Sequence, residues 1–258
     1  MLLITALVAF YLAGASPAQT WRNITPAEGP SPSPRVNASA IYDPLEHRMI
    51  LFGGRGSDGD LDDLWAFELN THQWSPIQPR GDERPAKRFT HNALYDAERH
   101  QLLVWSGRHA DQGSVLFNDV WSFALETGIW TRLDPAGAAP NVRYGTAAIL
   151  DPRTRTLVNF AGFTDEGRFD DTWRFAIDDR VWTDVSPATG QPGRRCLHAA
   201  SYDARNHRML IYGGAGAPGG RWDDLWAFDL EEHTWVDLTP AERPAGRSFP
   251  THIYDAQN

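Results

Sequence analysis

Four times along the chain, a short apolar run breaks at small residues, and a second run with an aromatic rhythm follows. Met49-Ile50-Leu51-Phe52 stops at Gly53-Gly54, ahead of Asp62-Asp63-Leu64-Trp65-Ala66-Phe67 and Trp74. Leu102-Leu103-Val104-Trp105 stops at Ser106-Gly107, ahead of Asn118-Asp119-Val120-Trp121-Ser122-Phe123 and Trp130. Leu157-Val158-Asn159-Phe160 stops at Ala161-Gly162, ahead of Asp170-Asp171-Thr172-Trp173-Arg174-Phe175 and Trp182. Met209-Leu210-Ile211-Tyr212 stops at Gly213-Gly214, ahead of Trp222-Asp223-Asp224-Leu225-Trp226-Ala227-Phe228 and Trp235. Runs this short, bounded by glycine and polar turns, read as strands, and no stretch shows helical periodicity.

The equivalent tryptophans Trp65, Trp121, Trp173 and Trp226 are 56, 52 and 53 residues apart. A period near 50 residues with several short strands per unit predicts a propeller blade. A further strand precedes each glycine pair. Its register is marked by an arginine and a residue seven positions on: Arg35/Tyr42, Arg88/Tyr95, Arg143/Leu150, Arg195/Tyr202 and Arg247/Tyr254. Asp43, Asp96, Asp151, Asp203 and Asp255 follow these pairs. Alanines crowd the middle of this first strand (Ala38, Ala40, Ala93, Ala147, Ala148, Ala199, Ala200), whereas the later strands carry Trp and Phe. Small side chains suit strands converging on an axis, and large ones fill the gaps where blades diverge.

The glycine pair and the spaced aromatics resemble the kelch repeat, in register over roughly residues 21–258. The departures are Ser106-Gly107, Ala161-Gly162 and Leu150. The resemblance implies an all-β, kelch-type β-propeller. Four complete four-stranded blades are expected at about 35–79, 88–134, 143–187 and 195–240. A partial fifth is expected from 20–26, an outer strand at Trp21, and 247–258, an inner strand, leaving a truncated ring. Calling the strands of a blade A to D, the B–C and D–A loops share the face bearing the column arginines. The B–C loops Arg55–Leu61, Arg108–Phe117, Phe163–Phe169 and Ala215–Trp222 vary most, which makes that face the candidate binding surface.

A formal charge of −9 without a basic run argues against nucleic acid or an anionic membrane as partner. One cysteine, Cys196, leaves no disulfide framework. Leu2–Leu12 is apolar, and Ser16-Pro17-Ala18 offers a small-x-small cleavage site, so residues 1–18 read as a signal peptide, though no Lys or Arg precedes the apolar run. The remaining 19–258 would be one propeller, secreted to the periplasm or cell exterior, with no membrane span after cleavage.

The column arginines could form an anion-binding ring. The favoured reading pairs each with a nearby acid such as Asp63, Asp119, Asp171 or Asp224, because a residue repeated in every unit serves the unit. Positions that break the repeat are better binding candidates. These are Arg55, His91, Arg108, His109, Tyr144, Arg168, His198 and Arg221, with Asp58, Asp111, Asp165 and Glu166 in the same loops. Aromatic, cationic and carboxylate groups around an axial mouth suit a protein, a glycan or another small polar ligand. Asp58-Gly59-Asp60-Leu61-Asp62 resembles the start of a calcium loop but has Leu69 where an EF-hand needs glutamate. No metal or cofactor is expected, since His91 and His198 lack metal-ligand spacing. Kelch propellers also include copper oxidases resembling galactose oxidase, and Cys196 and Tyr144 occupy equivalent positions on neighbouring blades, but the remaining ligands of that family have no counterpart motif here. A likeness to sialic-acid mutarotases rests on architecture alone. The expected function is an exported kelch binding module for protein or glycan. The alternative is a secreted carbohydrate-active enzyme, such as a sugar epimerase or a copper radical oxidase.

Overall fold

The computed structural model describes residues 22–26, 28–217 and 219–251. The expected signal peptide, Trp21 and residues 252–258 lie outside the described residues, and residues 22–26, where the expected outer strand would continue, form no strand. The first sheet holds β1 (Ser39–Asp43), β2 (Arg48–Gly56), β3 (Gly59–Glu68) and β4 (Gln73–Ile77). The second holds β5 (Asn92–Asp96), β6 (Gln101–Trp105), β9 (Val120–Ala124) and β10 (Ile129–Arg132). A small hairpin, β7 (Arg108–His109) and β8 (Val115–Leu116), stands between β6 and β9. The third holds β11 (Ala147–Asp151), β12 (Thr156–Thr164), β13 (Gly167–Ala176) and β14 (Val181–Asp184). The fourth holds β15 (Ala199–Asp203), β16 (Arg208–Tyr212), β17 (Leu225–Asp229) and β18 (Trp235–Asp237). Neighbours in each sheet are antiparallel and follow chain order, so each repeat is one blade. Innermost strands of successive blades touch, β1 with β5, β5 with β11 and β11 with β15.

Three apolar cores lie between blades. Phe52 and Leu64 of the first blade meet Val104, Phe123 and Trp130 of the second. Trp105 and Leu103 meet Phe175 and Trp182. Phe160 and Val158 meet Phe228 and Trp235. Trp105 is fully buried, with its ring 4.5 Å from that of Trp182. Buried aromatic area at about 25 cal/mol per Å² is the main cohesive term between sheets.

The glycine pairs explain their own departures. At the first position φ is +59 at Gly53, +62 at Ser106, +55 at Ala161 and +69 at Gly213, a left-handed conformation that Ser or Ala reaches at modest cost. At the second, φ is +99 to +118, and a side chain would collide with the neighbouring inner strand: a Cβ on Gly54 would lie 2.8 Å from Ala38 Cβ, and one on Gly107 2.9 Å from His91 Cβ. Only the first glycine is therefore dispensable. The resulting bulge lets the B–C arms continue as sheet. Arg55 pairs with Asp60 and Phe163 with Arg168 in extensions of β2–β3 and β12–β13. Two segments expected as loops are thus rigid hairpins.

The column arginines pair with the expected acids. Arg143 donates from Nη1 and Nη2 to both carboxylate oxygens of Asp171, at 2.6 and 2.8 Å, and from Nη1 to the Ala161 carbonyl, at 3.0 Å. Arg35–Asp63, Arg88–Asp119 and Arg195–Asp224 repeat this fork. The indole N–H two residues after each aspartate completes it, as Trp173 does for Asp171 at 2.7 Å. The backbone of the same arginine joins it to the blade before. Arg143 N–H donates to Phe117 O, and Arg143 O accepts from Gly107 N–H.

Near the axis, Asn37, Thr90, Gly145, Leu197 and Phe249 all have φ between +54 and +61. From the second onward, each N–H donates to the carbonyl of the one before: Thr90 to Asn37, Gly145 to Thr90, Leu197 to Gly145, Phe249 to Leu197. Residues 247–251 therefore occupy the inner position of a fifth unit, and Gly214 N–H donates to Arg247 O as in the earlier blades. On the opposite face, His100 Nε2 lies 3.0 Å from Asp43 of the previous blade and His207 Nε2 lies 3.1 Å from Asp151. Arg155 replaces the histidine at the third blade and reaches Asp96 at 2.6 Å.

Candidate functional site

The residue after each column arginine bridges the start of the B–C arm of its own blade: Val36 with Arg55, Phe89 with Arg108, Tyr144 with Phe163, Cys196 with Ala215. This brings aromatic residues and long cations to one rim. Arg55 leans over Phe89 at 5.5 Å, Arg108 over Tyr144 at 5.3 Å and Arg168 over Phe163 at 5.2 Å. The Tyr144 and Phe163 rings meet edge to face at 5.3 Å. Cation–π contact holds a guanidinium in place without neutralising it.

The three rim arginines differ in their counter-ions. Arg55 Nη1 donates to Asp60 at 2.7 Å. Arg108 and Arg168 have no ion-pair partner among the described residues, and the Nε of each is shielded from solvent without a hydrogen-bond partner. Arg108 makes only a long 3.5 Å contact to the Tyr144 hydroxyl. Burial raises the Tyr144 pKa above the ordinary phenol value, against the pull of the Arg108 charge. Burial likewise raises the Cys196 thiol, with a hydrogen bond from Arg168 opposing it, so the sulfur is a protonated thiol at neutral pH.

Other expected site residues are placed differently. His91 and His198 line the wall of the axial channel, a space of about 640 Å³. They are only 6% and 7% exposed, and their rings stand edge-on to Phe52 and Phe160. Burial and then the charge of Arg88 depress His91 to a pKa of about 3, so it is neutral. Arg221 is exposed on the fourth B–C arm, its backbone bridging Ala215. His109 lies 3.0 Å from Asp60. Asp58 sits at the tip of the β2–β3 hairpin and accepts from the Ser57 hydroxyl. Between the second and third B–C arms runs a groove of about 860 Å³ that includes Val142, Asp165, Glu166, Arg168 and Arg194.

A set of all-β blades fanned about one axis, with irregular side chains on one rim, is a β-propeller. Residues 97–257 match the KLHDC2/KLHL20/DRC7 Kelch-repeats domain, and residues 9–168 match the Attractin/LZTR1 beta-propeller. The chain belongs to the kelch-repeat β-propeller family. It is similar to multiple epidermal growth factor-like domains protein 8 of Mus musculus, 29% identical over 225 residues, covering 84% of this chain and 8% of that protein. It is also similar to the host cell factor homolog hcf-1 of Caenorhabditis elegans, 24% identical over 84% of this chain and 29% of the relative. A third relative is acyl-CoA-binding domain-containing protein 4 of Arabidopsis thaliana, 26% identical over 80% of this chain and 31% of the relative. The chain thus spans less than a third of each of these relatives. Kelch propeller domains typically mediate protein interactions. Among the described residues no helix is long and apolar enough to cross a membrane.

Proposed function

We propose that this chain is a protein-binding module that docks its partner on the B–C/D–A rim, with carboxylates of the partner entering between Arg108 and Arg168. The carrying observation is that, among the described residues, these two guanidiniums lack counter-ions on a chain with a formal charge of −9, while the column arginines of the complete blades are all engaged with acids. Such cations gain more from an incoming carboxylate than solvated surface charges do, because their hydration is already restricted. Export through residues 1–18 belongs to the same reading, and amino-terminal sequencing of the expressed protein tests it.

The test of the site is fluorescence anisotropy with Glu- and Asp-rich peptides, run beside a glycan array. Binding to acidic peptides that weakens about tenfold or more in Arg108→Glu/Arg168→Glu supports the proposal. Peptide binding that survives the double charge reversal removes it. A glycan signal without a peptide signal favours the carbohydrate-directed alternative instead.

A further inference from the structure

Two B–C arms meet at a point on the rim that the protein-binding reading does not use. Asp60, on the first arm, has a side chain with no exposed surface. Its Oδ1 accepts from Arg55 Nη1 at 2.7 Å. Its Oδ2 accepts from the Ala110 N–H at 2.6 Å and lies 3.0 Å from His109 Nδ1, both on the second arm. The Asp60 N–H in turn donates to both carboxylate oxygens of Asp111, at 3.0 Å each. Arg55 Nη1 also lies 3.8 Å from Asp111. The approach is close enough that a side chain at Gly59 would strike the Asp111 carboxylate, 2.7 Å away.

Charge and geometry both ask for another cation. Two carboxylates face one guanidinium, and one of those carboxylates is wholly buried, where uncompensated charge is costly. His109 Nδ1 is shielded from solvent and has no hydrogen-bond partner, although Asp60 Oδ2 is 3.0 Å away. The two atoms are near, but the ring is not oriented to share a proton along that line. A nitrogen and an oxygen about 3 Å apart form one edge of a coordination shell whose bonds are about 2.1 Å. Ligand atoms of Asp60, His109 and Asp111 all lie within 4.8 Å of one another.

We propose that Asp60, His109 and Asp111 form a site for a divalent transition cation that clips the first two B–C arms together. One imidazole with two carboxylates suits zinc better than calcium or magnesium, which prefer oxygen alone. Three protein ligands leave a position for water or for a donor from a partner. Arg55 is the cation that holds the site when no metal is bound. It already lies 5.5 Å over the Phe89 ring, so it has a place to go when a metal takes its share of Asp60. Zinc would thereby release a third guanidinium to the rim.

The experiment uses the full chain stripped with chelator. Zinc chloride is followed by calorimetry and thermal unfolding, and cobalt chloride by visible absorption. The expected result is one ion per chain, a raised melting temperature and cobalt bands of an imidazole-carboxylate site. Asp111→Asn and His109→Ala each weaken zinc about tenfold or more. Both residues are at the surface side of the knot, so circular dichroism separates loss of metal from loss of fold. Arg55→Met tightens zinc, because the competing cation is gone. No saturable binding in either the parent chain or Arg55→Met overturns the proposal. So does binding unaffected by Asp111→Asn and His109→Ala, which places the ion elsewhere. Thermal stability with no response to zinc also overturns it.

Discussion

Replacing Arg143 by methionine removes more than one interaction, and the structure sets its cost. The side chain is 1% exposed and donates to both oxygens of Asp171, to the Ala161 carbonyl and, through Nε at 3.0 Å, to the Asn141 carbonyl. Its guanidinium also covers the Phe169 ring at 4.2 Å. Methionine fills much of the volume, so the cavity term is small. What remains is a stranded carboxylate and two carbonyls without donors. Breaking a buried ion pair from one side costs about 3–5 kcal/mol. Asp171 is 24% exposed and keeps its bond from the Trp173 indole, which softens the penalty and places the expected loss at about 4 kcal/mol. Asp171→Asn keeps one acceptor and should cost about 2 kcal/mol. Because both changes remove the same fork, the double variant should fall short of the sum by at least about 1.5 kcal/mol. Urea unfolding followed by tryptophan fluorescence and far-ultraviolet circular dichroism, with coincident transitions required, reads these values. A single-variant loss below about 1 kcal/mol, or an additive double variant, would refute the role of the arginine fork as the clamp that locks its own blade.

Four further outcomes are expected. His91 is depressed to about 3 in the folded chain, so it contributes stability above the ordinary histidine pKa of 6.5 that is lost as pH falls toward 3, by up to about 1.4 kcal/mol per pH unit. Urea midpoints between pH 7 and 4 should therefore fall more steeply for the parent chain than for His91→Asn, and equal slopes would contradict the burial of a neutral ring. Trp182→Ala, at a site 5% exposed against Trp105 and Phe175, should cost about 3–5 kcal/mol. Trp65 is half-buried, so Trp65→Phe should lose about 1 kcal/mol through its 2.7 Å bond to Asp63, and denaturation midpoints that rank the two tryptophans the other way would reject this assignment. His100→Ala should cost about 1 kcal/mol by freeing Asp43, whose burial alone would raise its pKa but whose bonds from His100 and Arg48 hold it low, and His100→Arg should restore the loss, as Arg155 does in the third blade; no rescue would mean the latch is not electrostatic.

The repeat was legible because it is local. An apolar run, a glycine pair and an Asp-x-Trp-x-Phe rhythm describe one blade, and a blade must satisfy the same backbone geometry each time it recurs. That is why the pairing of Arg143 with Asp171, or Arg88 with Asp119, could be inferred from recurrence alone: the partners lie within one unit. The departures at Ser106 and Ala161 were visible in the chain, but their tolerance became clear only with φ near +60 at the first position and inner-strand collision at the second. The even distribution of repeated tryptophans hid a division of labour. Trp182 and Trp235, on fourth strands, are buried against Trp105 and Phe160 of the preceding blade, whereas Trp74, on the fourth strand of the first blade, is only half-buried, so depth is set by the neighbouring blade; Trp65 and Trp226, on third strands, chiefly orient an aspartate. The buried state of His91 and His198 has the same origin. The members of the knot were visible singly, Asp60 within an apparent calcium-loop start and His109 and Asp111 as loop residues, but their convergence was not. They come from arms about 50 residues apart that share no motif, and nothing in either arm specifies the distance to the other. Local sequence determines a blade, since backbone conformation and strand burial are decided within it. The rim site was decided by the rotation from one blade to the next, because only that rotation brings unlike arms within hydrogen-bonding distance.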